Sequence, residues 1–240
     1  MISYAQNNED VVLARVLGDA PGGFYVDVGA SEPELRSVTK HFYEHGWRGV
    51  NVEPVAAVHA ALARARPRDT SLCLALGAAP GALTFFEFQA EGISTLSEDF
   101  AAHFVRQGLS CTRRTVEVRT LGELCRDHCP GPIDFMKIDV EGWERQVLEG
   151  GDWRRFRPRV LLVEATRPNS TEPNWMAWEP LLLGQGYRFA YFDGLNRFYV
   201  PEEERALLAR FPPQWPASLR QAWRRALELA LRLAGRGPPR

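Results

Sequence analysis

The chain has 240 residues, a formal net charge of −1, 45% hydrophobic residues and 25% charged residues. This length and composition suit one globular domain with a sizeable core, and the charge gives no case for a surface that binds nucleic acid. No apolar run in the sequence approaches 18 residues, and residues 1–10 lack a basic stretch before an apolar one. We therefore expect a cytoplasmic protein with neither a signal peptide nor a membrane span.

The first half of the chain alternates between strand and helix patterns. Helices are predicted at 8–17, 37–46 and 55–64, and strands at 24–28, 49–52 and 71–76. The Pro80-Gly81 turn precedes 83–88, which is predicted to form an antiparallel hairpin at the sheet edge.

The second half continues the same alternation. Helices are predicted at 97–107, 121–128 and 175–186, and strands at 115–119, at 159–163 and in the buried segment that starts at Ile133. A last hairpin is predicted from 187–192 and 197–200. Strands that alternate with helices in this way predict an α/β fold, Rossmann-like, with a mostly parallel sheet and a terminal antiparallel hairpin.

Two strands near the N-terminus end in the pattern of a nucleoside-binding unit. The strand 24–28 contains Asp27 and is followed by Gly29, and the strand 49–52 is followed by Glu53. A glycine there lets the backbone approach a ligand, and the second acid can accept both ribose hydroxyls. A buried strand that ends in a turn glycine, with no ligand, is the alternative interpretation.

The loop after the first strand argues against a dinucleotide. It lacks the three glycines that pass a pyrophosphate over a helix N-terminus, and Glu32 follows Ser31, where it would repel phosphate. A cofactor with a ribose and no phosphate fits better, and S-adenosylmethionine is the common one. Its ammonium group favours an acid such as Asp27.

Four strands are predicted to end in acids, namely Asp27, Glu53, Asp139 and Glu164, at one edge of one sheet. Asp139 and Glu164 could share a divalent cation, Mg²⁺ or Mn²⁺, through hard oxygen ligands. Alternatively, Asp139 or Glu141 is a general base without a metal, with a lysine or histidine nearby. The sequence leaves these two interpretations open.

Several motifs, spread in order from residue 3 to about 200, resemble the FkbM-type methyltransferase family. This resemblance implies a seven-stranded class I methyltransferase fold, S-adenosylmethionine as cofactor, and O-methylation of a sugar, a glycan or a hydroxylated natural product. Asn8 and Ser31 depart from the family pattern without disturbing the cofactor loop. The motifs are Ser3-Tyr4-Ala5-Gln6-Asn7-Asn8-Glu9-Asp10, Phe24-Tyr25-Val26-Asp27-Val28-Gly29-Ala30, Gly46-Trp47-Arg48-Gly49, Val52-Glu53-Pro54, Ser94-Thr95-Leu96 and Lys137-Ile138-Asp139-Val140-Glu141-Gly142-Trp143-Glu144.

The strand ends and the resemblance together give the candidate site residues. Asp139 and Glu141 are the catalytic candidates, and Asp139 and Glu164 are the candidate metal ligands. Two other classes of function remain, a nucleotide-cofactor oxidoreductase and a catalytically inactive S-adenosylmethionine-binding module. The candidate cofactor-binding residues are Gln6, Asp27, Gly29, Ala30, Ser31, Glu53, Pro54, Gly77 and Ala78.

The remaining features carry weaker expectations. His41 and His45 are expected to be surface or partly buried residues, and a zinc site built on Cys125 and Cys129 lacks further ligands in the pattern. Residues 1–205 are predicted to form the methyltransferase domain, and 206–240 a proline-rich break and an amphipathic basic helix at 217–234. That helix could dock on its own domain, form a homodimer contact or bind a membrane surface.

Overall fold

The computed structural model of the protein describes residues 1–18, 21–89, 92–167, 170 and 172–213. The seven helices in this part of the chain are α1 (Glu9–Leu17), α2 (Lys40–Glu44), α3 (Ala56–Ala65), α4 (Glu98–Arg106), α5 (Leu121–His128), α6 (Glu144–Glu149) and α7 (Glu179–Gly184). Its ten strands are β1 (Phe24–Val28), β2 (Arg48–Val52), β3 (Thr70–Leu72), β4 (Ala75–Gly77), β5 (Gly81–Phe88), β6 (Cys111–Thr120), β7 (Phe135–Ile138), β8 (Val160–Glu164), β9 (Tyr187–Phe192) and β10 (Asn196–Pro201).

Seven strands form the central sheet, in the order β3-β2-β1-β7-β8-β10-β9. The pairs from β3 to β8 are parallel, and β10 runs antiparallel to both β8 and β9. The predicted mostly parallel sheet with a terminal antiparallel hairpin is therefore confirmed. The chain leaves β1 toward β2 on one side and returns later as β7 on the other side. A crevice opens at such a reversal, outside the carboxyl ends of the strands.

Apolar side chains cover both faces of this sheet because successive residues of a strand point to opposite faces. Val26 and Val28 of β1 belong to one core cluster, whereas Tyr25 belongs to the other, where its ring stacks on Phe135 with centroids 5.6 Å apart. The Tyr25 hydroxyl donates a 2.5 Å hydrogen bond to Asp69 Oδ2, so this buried polar group is satisfied.

The structure corrects two strand predictions. The predicted strand 71–76 is two strands, of which β3 pairs with β2 while β4 belongs to a second, three-stranded sheet. That sheet has the order β4-β6-β5, so 83–88 pairs with the distant 111–120 region rather than closing a local hairpin. The predicted helix 175–186 is also interrupted, because a 3-10 turn at Trp175–Ala177 precedes α7.

The packed unit extends past the predicted boundary at residue 205. A 3-10 helix at Glu202–Arg210 places Leu207 in the same core cluster as Phe211, and both are about 95% buried. The Arg15 side chain donates a 2.9 Å hydrogen bond to the Arg210 carbonyl, and Arg210 donates one of 2.8 Å to the Val16 carbonyl. Residues 206–211 therefore belong to the domain, and the predicted helix at 217–234 lies outside the described residues.

Within the described residues, no helix combines the length and the hydropathy that a membrane crossing requires.

Replacing Phe211 by alanine tests this boundary. Phe211 packs on Tyr191 and Phe198, so Phe211→Ala should lower the free energy of unfolding by about 3 kcal/mol in urea titrations. Leu83→Ala is the control, since Leu83 is 41% exposed, and it should cost less than about 1 kcal/mol. Equal losses for the two variants would mean that Phe211 is not part of the core.

Candidate functional site

The register of the parallel strands sets the site. Val28 is paired with Val52 on one side and with Ile138 on the other, and Ile138 is paired with Val163. The residues that follow these positions, Gly29, Glu53, Asp139 and Glu164, therefore lie level with one another at the carboxyl edge of the sheet. Three of the four acids predicted to meet at this edge do so.

Asp27 is the exception, because it lies one residue inside β1. It is paired with Asn51 and Lys137, one level below the edge, and only 1% of its surface is exposed. Its side chain points to the face that Tyr25 occupies, where Oδ2 accepts a 3.0 Å hydrogen bond from the Thr39 hydroxyl. Asp27 is therefore not among the described residues that line the cavity above this edge, and its contact with the cofactor's ammonium group stays a prediction.

Lys137 joins β1 to β7 at the bottom of the cavity, where it is one of the lining residues. Its Nζ donates a 3.0 Å hydrogen bond to the Gly29 carbonyl and lies 3.5 Å from Asp27 Oδ1 and 3.2 Å from Asp139 Oδ2. Burial alone would lower the pKa of Lys137, but Asp139 and Asp27 outweigh that effect and hold the pKa above its ordinary value. Lys137 is therefore a charged lysine that compensates two carboxylates.

Gly29 is required by the chain itself. Its φ is +77°, and a Cβ built there would lie 1.8 Å from the Asp139 carbonyl oxygen. The glycine lets β1 turn closely past the end of β7, and the close approach of a ligand to Gly29, which also lines the cavity, stays a prediction. The start of this loop remains bonded to the end of β2, because the Gly29 and Ala30 amides both donate hydrogen bonds to the Val52 carbonyl, at 3.0 and 3.1 Å.

Glu53 is held rigidly at the end of β2. Its Oε2 accepts a 3.0 Å hydrogen bond from the Ser31 amide, and Oε1 accepts one of 2.8 Å from the Val55 amide. Burial raises the pKa of Glu53, although these two amides act in the opposite direction. A carboxylate has about four acceptor positions, so the hydrogen bonds leave further positions for a ligand.

The loop after β7 presents its acids in a constrained conformation. Glu141 has a φ of +52°, which is unusual for a residue other than glycine, and its carbonyl accepts a 2.7 Å hydrogen bond from the buried Thr95 hydroxyl. Glu144 Oε1 accepts hydrogen bonds from the Val140 and Gly142 amides at 3.2 and 3.0 Å. Burial is the main cause that raises the pKa of Glu144 to about 7.

Asp139, Glu141 and Glu164 form a cluster. One carboxylate oxygen from each lies within 4.8 Å of one from each of the others. Burial is the main cause that raises the pKa values of Glu141 and Glu164 well above their usual range, and the negative charge of Asp139 raises them further. The structure thus brings together the candidate metal ligands Asp139 and Glu164, and it adds the catalytic candidate Glu141.

A cavity of about 1240 Å³ opens above this edge. It is large enough for a drug-sized ligand together with a second molecule. The predicted site residues that line it are Gln6, Gly29, Ser31, Glu53, Pro54, Asp139, Glu141 and Glu164.

Besides Asp27, three predicted cofactor-binding residues do not line the cavity. Ala30 is buried beside it, Ala78 is exposed elsewhere, and Gly77 ends β4 with its Cβ position 3.0 Å from a Val118 methyl group. Ala75 and Leu76, earlier in the same strand, line it instead. His41 and His45 are not among the lining residues either; His41 is 5% exposed, so it is more deeply buried than expected.

Sequence reasoning missed Trp143 as a lining residue, although it lies within a quoted motif. Its indole Nε1 is buried and donates no hydrogen bond to any described residue. Asn7 was missed as well. Its side chain donates a 2.8 Å hydrogen bond to the Asp193 carbonyl, which holds the N-terminal segment with Gln6 against the cavity. Asn7 and Asp193 are 186 residues apart in the sequence, so no local sequence pattern predicts their contact.

The central sheet has seven strands, and only β10 runs antiparallel to its neighbours, β8 and β9. This topology, with an acid-lined cavity at the carboxyl edge, is that of a class I methyltransferase fold. The sequence profile of the methyltransferase FkbM domain matches residues 27–189, which is more than half of the chain. The chain therefore belongs to the FkbM methyltransferase family.

Three solved structures are similar to this chain. An FkbM methyltransferase from Methylobacillus flagellatus KT is 17% identical with a TM-score of 0.45, over 76% of this chain and 44% of its own. Aeropyrum pernix fibrillarin, with natively bound S-adenosyl-L-methionine, is 13% identical with a TM-score of 0.45, over 81% and 76%. A Bacillus cereus O-methyltransferase in complex with SAH is 11% identical with a TM-score of 0.39, over 83% and 80%.

The chain thus spans less than half of the Methylobacillus protein. No curated protein sequence matches it.

Adding a methyl group at Gly29 tests the structural reason for that glycine. Gly29→Ala should lower the free energy of unfolding by more than about 2 kcal/mol without any ligand present, because of the Asp139 contact and the positive φ. Gly81→Ala is the matched control, since no atom lies within 4 Å of its Cβ position. If urea unfolding showed equal stabilities for both variants, the glycine would be free of packing constraints.

Removing the Lys137 charge tests its role in compensating Asp27 and Asp139. Lys137→Met leaves Asp27 and Asp139 uncompensated and should lower the free energy of unfolding by about 3 kcal/mol. Adding Asp27→Asn should recover part of this loss, whereas Arg145→Met, in an exposed pair with Glu149, should cost less than about 1 kcal/mol. A double variant as unstable as Lys137→Met would contradict the Asp27 pairing.

Proposed function

We propose that this protein transfers the methyl group of S-adenosylmethionine to a hydroxyl group of a sugar, a glycan or a hydroxylated natural product. The family supports the methyl-transfer class, and the charge of the cavity supports the cofactor. The hydroxyl acceptor is inferred from the chemistry of the acids at the strand ends and from the family resemblance.

The observation that carries the cofactor proposal is the excess of acids on the cavity wall. Among the described lining residues, two are basic, Arg36 and Lys137, and Lys137 is already committed to Asp27 and Asp139. Such a surface attracts a cationic ligand and repels a pyrophosphate. S-adenosylmethionine carries a sulfonium and an ammonium, whereas nicotinamide dinucleotides are anionic. The acids are Glu32, Glu53, Glu87, Asp139, Glu141 and Glu164.

The residues present fit this cofactor. Glu53 would accept the ribose hydroxyls with the acceptor positions that the Ser31 and Val55 amides leave open. The unpartnered Trp143 Nε1 is a buried donor that an acceptor atom of a bound ligand would satisfy. When bound, S-adenosylmethionine supplies an electrophilic methyl group.

The acids of the loop after β7 would act on the acceptor. A hydroxyl is a poor nucleophile at neutral pH, so its proton has to be withdrawn as it attacks. Asp139 and Glu141 line the cavity at the end of β7 and are the candidates to accept that proton. Phe85 and Leu96 lie on the apolar part of the wall, where they would exclude water from the reacting groups.

An oxidoreductase would need a site for a pyrophosphate, and the acidic wall with Glu32 beside Ser31 argues against one. An inactive S-adenosylmethionine-binding module would have the same cofactor contacts and no turnover. Cofactor binding distinguishes the oxidoreductase from a methyltransferase, and methyl-transfer activity distinguishes the inactive module from one.

Isothermal titration with S-adenosylmethionine, S-adenosylhomocysteine and NAD tests the cofactor. We expect the first two to bind and NAD not to bind. Glu53→Gln should weaken S-adenosylhomocysteine binding at least about tenfold, because each charge-assisted hydrogen bond contributes on the order of 1.5–3 kcal/mol. Glu117→Gln, on the exposed part of β6, should leave the affinity unchanged.

An effect of Glu53→Gln below twofold, in a variant whose thermal unfolding is unchanged, would contradict the ribose assignment. Binding of NAD alone would favour the oxidoreductase.

Transfer of a deuterated methyl group to polyhydroxylated acceptors, followed by mild alkali, tests the reaction, because a methyl ether survives alkali and a methyl ester does not. Cofactor binding with no transfer to any acceptor class would favour the inactive module.

A further inference from the structure

We infer that Asp139, Glu141 and Glu164 form a binding site for a divalent cation, Mg²⁺ or Mn²⁺, on the floor of the cavity. Their nearest carboxylate oxygens lie within 4.8 Å of one another. Oxygens that share one such cation at about 2.0–2.6 Å lie about 3–5 Å apart, so small side-chain rotations suffice to bring three of them onto one ion.

The second observation is the lack of donors around two of these acids. Glu164 is 6% exposed, and its Oε2 accepts no hydrogen bond from any described residue. The Oε2 of Glu141 is buried without a hydrogen bond from the described part of the chain as well. A buried carboxylate without a donor or a cation is costly, so the pair indicates that a group outside the described residues satisfies them.

Among the described residues, Lys137 contacts the cluster but does not reach these two acids as a partner. Its Nζ is engaged by the Gly29 carbonyl, Asp27 and Asp139. The Thr166 hydroxyl lines the same cavity, is 3% exposed and has no hydrogen-bond partner among the described residues. It adds another oxygen near Glu164 for a water molecule of the cation's shell.

The donor set selects the kind of cation. Three carboxylate oxygens, with no described sulfur or imidazole group among the lining residues, are hard ligands that suit Mg²⁺, Mn²⁺ or Ca²⁺ rather than softer metals. Mg²⁺ and Mn²⁺ take six ligands, so three protein oxygens leave positions open toward the cavity.

An open position gives the cation a role. A hydroxyl group that binds there has a lower pKa than it has in water, because the positive charge stabilises the alkoxide. This role rests on the proposed function, whereas the binding of the cation does not. The two claims can therefore fail separately.

Binding is tested by titrating the chelator-treated full chain with Mn²⁺ while electron paramagnetic resonance records the free ion. We expect one Mn²⁺ per chain, displaced by Mg²⁺. Glu164→Gln keeps the size of the side chain and removes its charge, so it should weaken Mn²⁺ binding at least about tenfold. Glu32→Gln is the control, because Glu32 lines the same cavity outside the cluster, and its affinity should stay within about twofold.

Thermal unfolding gives an independent readout. Mn²⁺ should raise the unfolding temperature of the natural chain and of Glu32→Gln, but not that of Glu164→Gln. Two results would overturn the inference: no bound Mn²⁺ at millimolar concentration, or equal affinity in Glu164→Gln and the natural chain. Either would mean that the buried acids hold protons rather than a metal.

The same titration separates this inference from the proposed function. Bound Mn²⁺ in a protein that does not bind S-adenosylmethionine would retain the cation site and reject the methyl-transfer proposal. Methyl transfer that is unchanged after exhaustive chelation would retain the methyltransferase and reject the role of the cation.

Discussion

The site depends on Lys137, a buried cation that lies one level below the carboxyl edge of the sheet and lines the bottom of the cavity. It pairs with Asp27 inside β1 and with Asp139 just past the end of β7, and it fixes the Gly29 carbonyl between them. Because both strands end at the level that their register sets, this one side chain holds the two loops of the site in a fixed relation. Loss of this charge would leave Asp27 and Asp139 without their compensating cation.

The sequence was sufficient to predict the acidic edge, because parallel strands in register end together. It was insufficient to predict which acid lines the cavity. Asp27 and Glu53 both stand near the end of a buried strand, but Asp27 lies one residue short of the end of β1 and Glu53 one residue past the end of β2. A shift of one residue reverses the face of a side chain, and no local pattern fixes a strand end so closely.

The parts that sequence reasoning missed depend on contacts between distant residues. β5 and β6 pair across more than twenty residues, and β4 leaves the main sheet to join them, although 71–76 looks like one strand. Likewise, Phe211 belongs to the core because Tyr191 and Phe198 meet it, while the nearby prolines suggest a linker. Local propensity cannot register either effect, since tertiary packing decides both.

The charge balance of the cavity links the stability of the fold to its ligands. Glu141 and Glu164 are buried beside Asp139, and one oxygen of each lacks a donor among the described residues, so mutual repulsion and desolvation both act against the fold without ligands. The same low-polarity surroundings strengthen the attraction of these acids for any cation that enters. The positive charge of S-adenosylmethionine and that of a divalent ion at Asp139, both proposed above, would each relieve part of this repulsion. Binding of one cation would then reduce the attraction for the other, so the two ligands are expected to oppose each other electrostatically within one cavity.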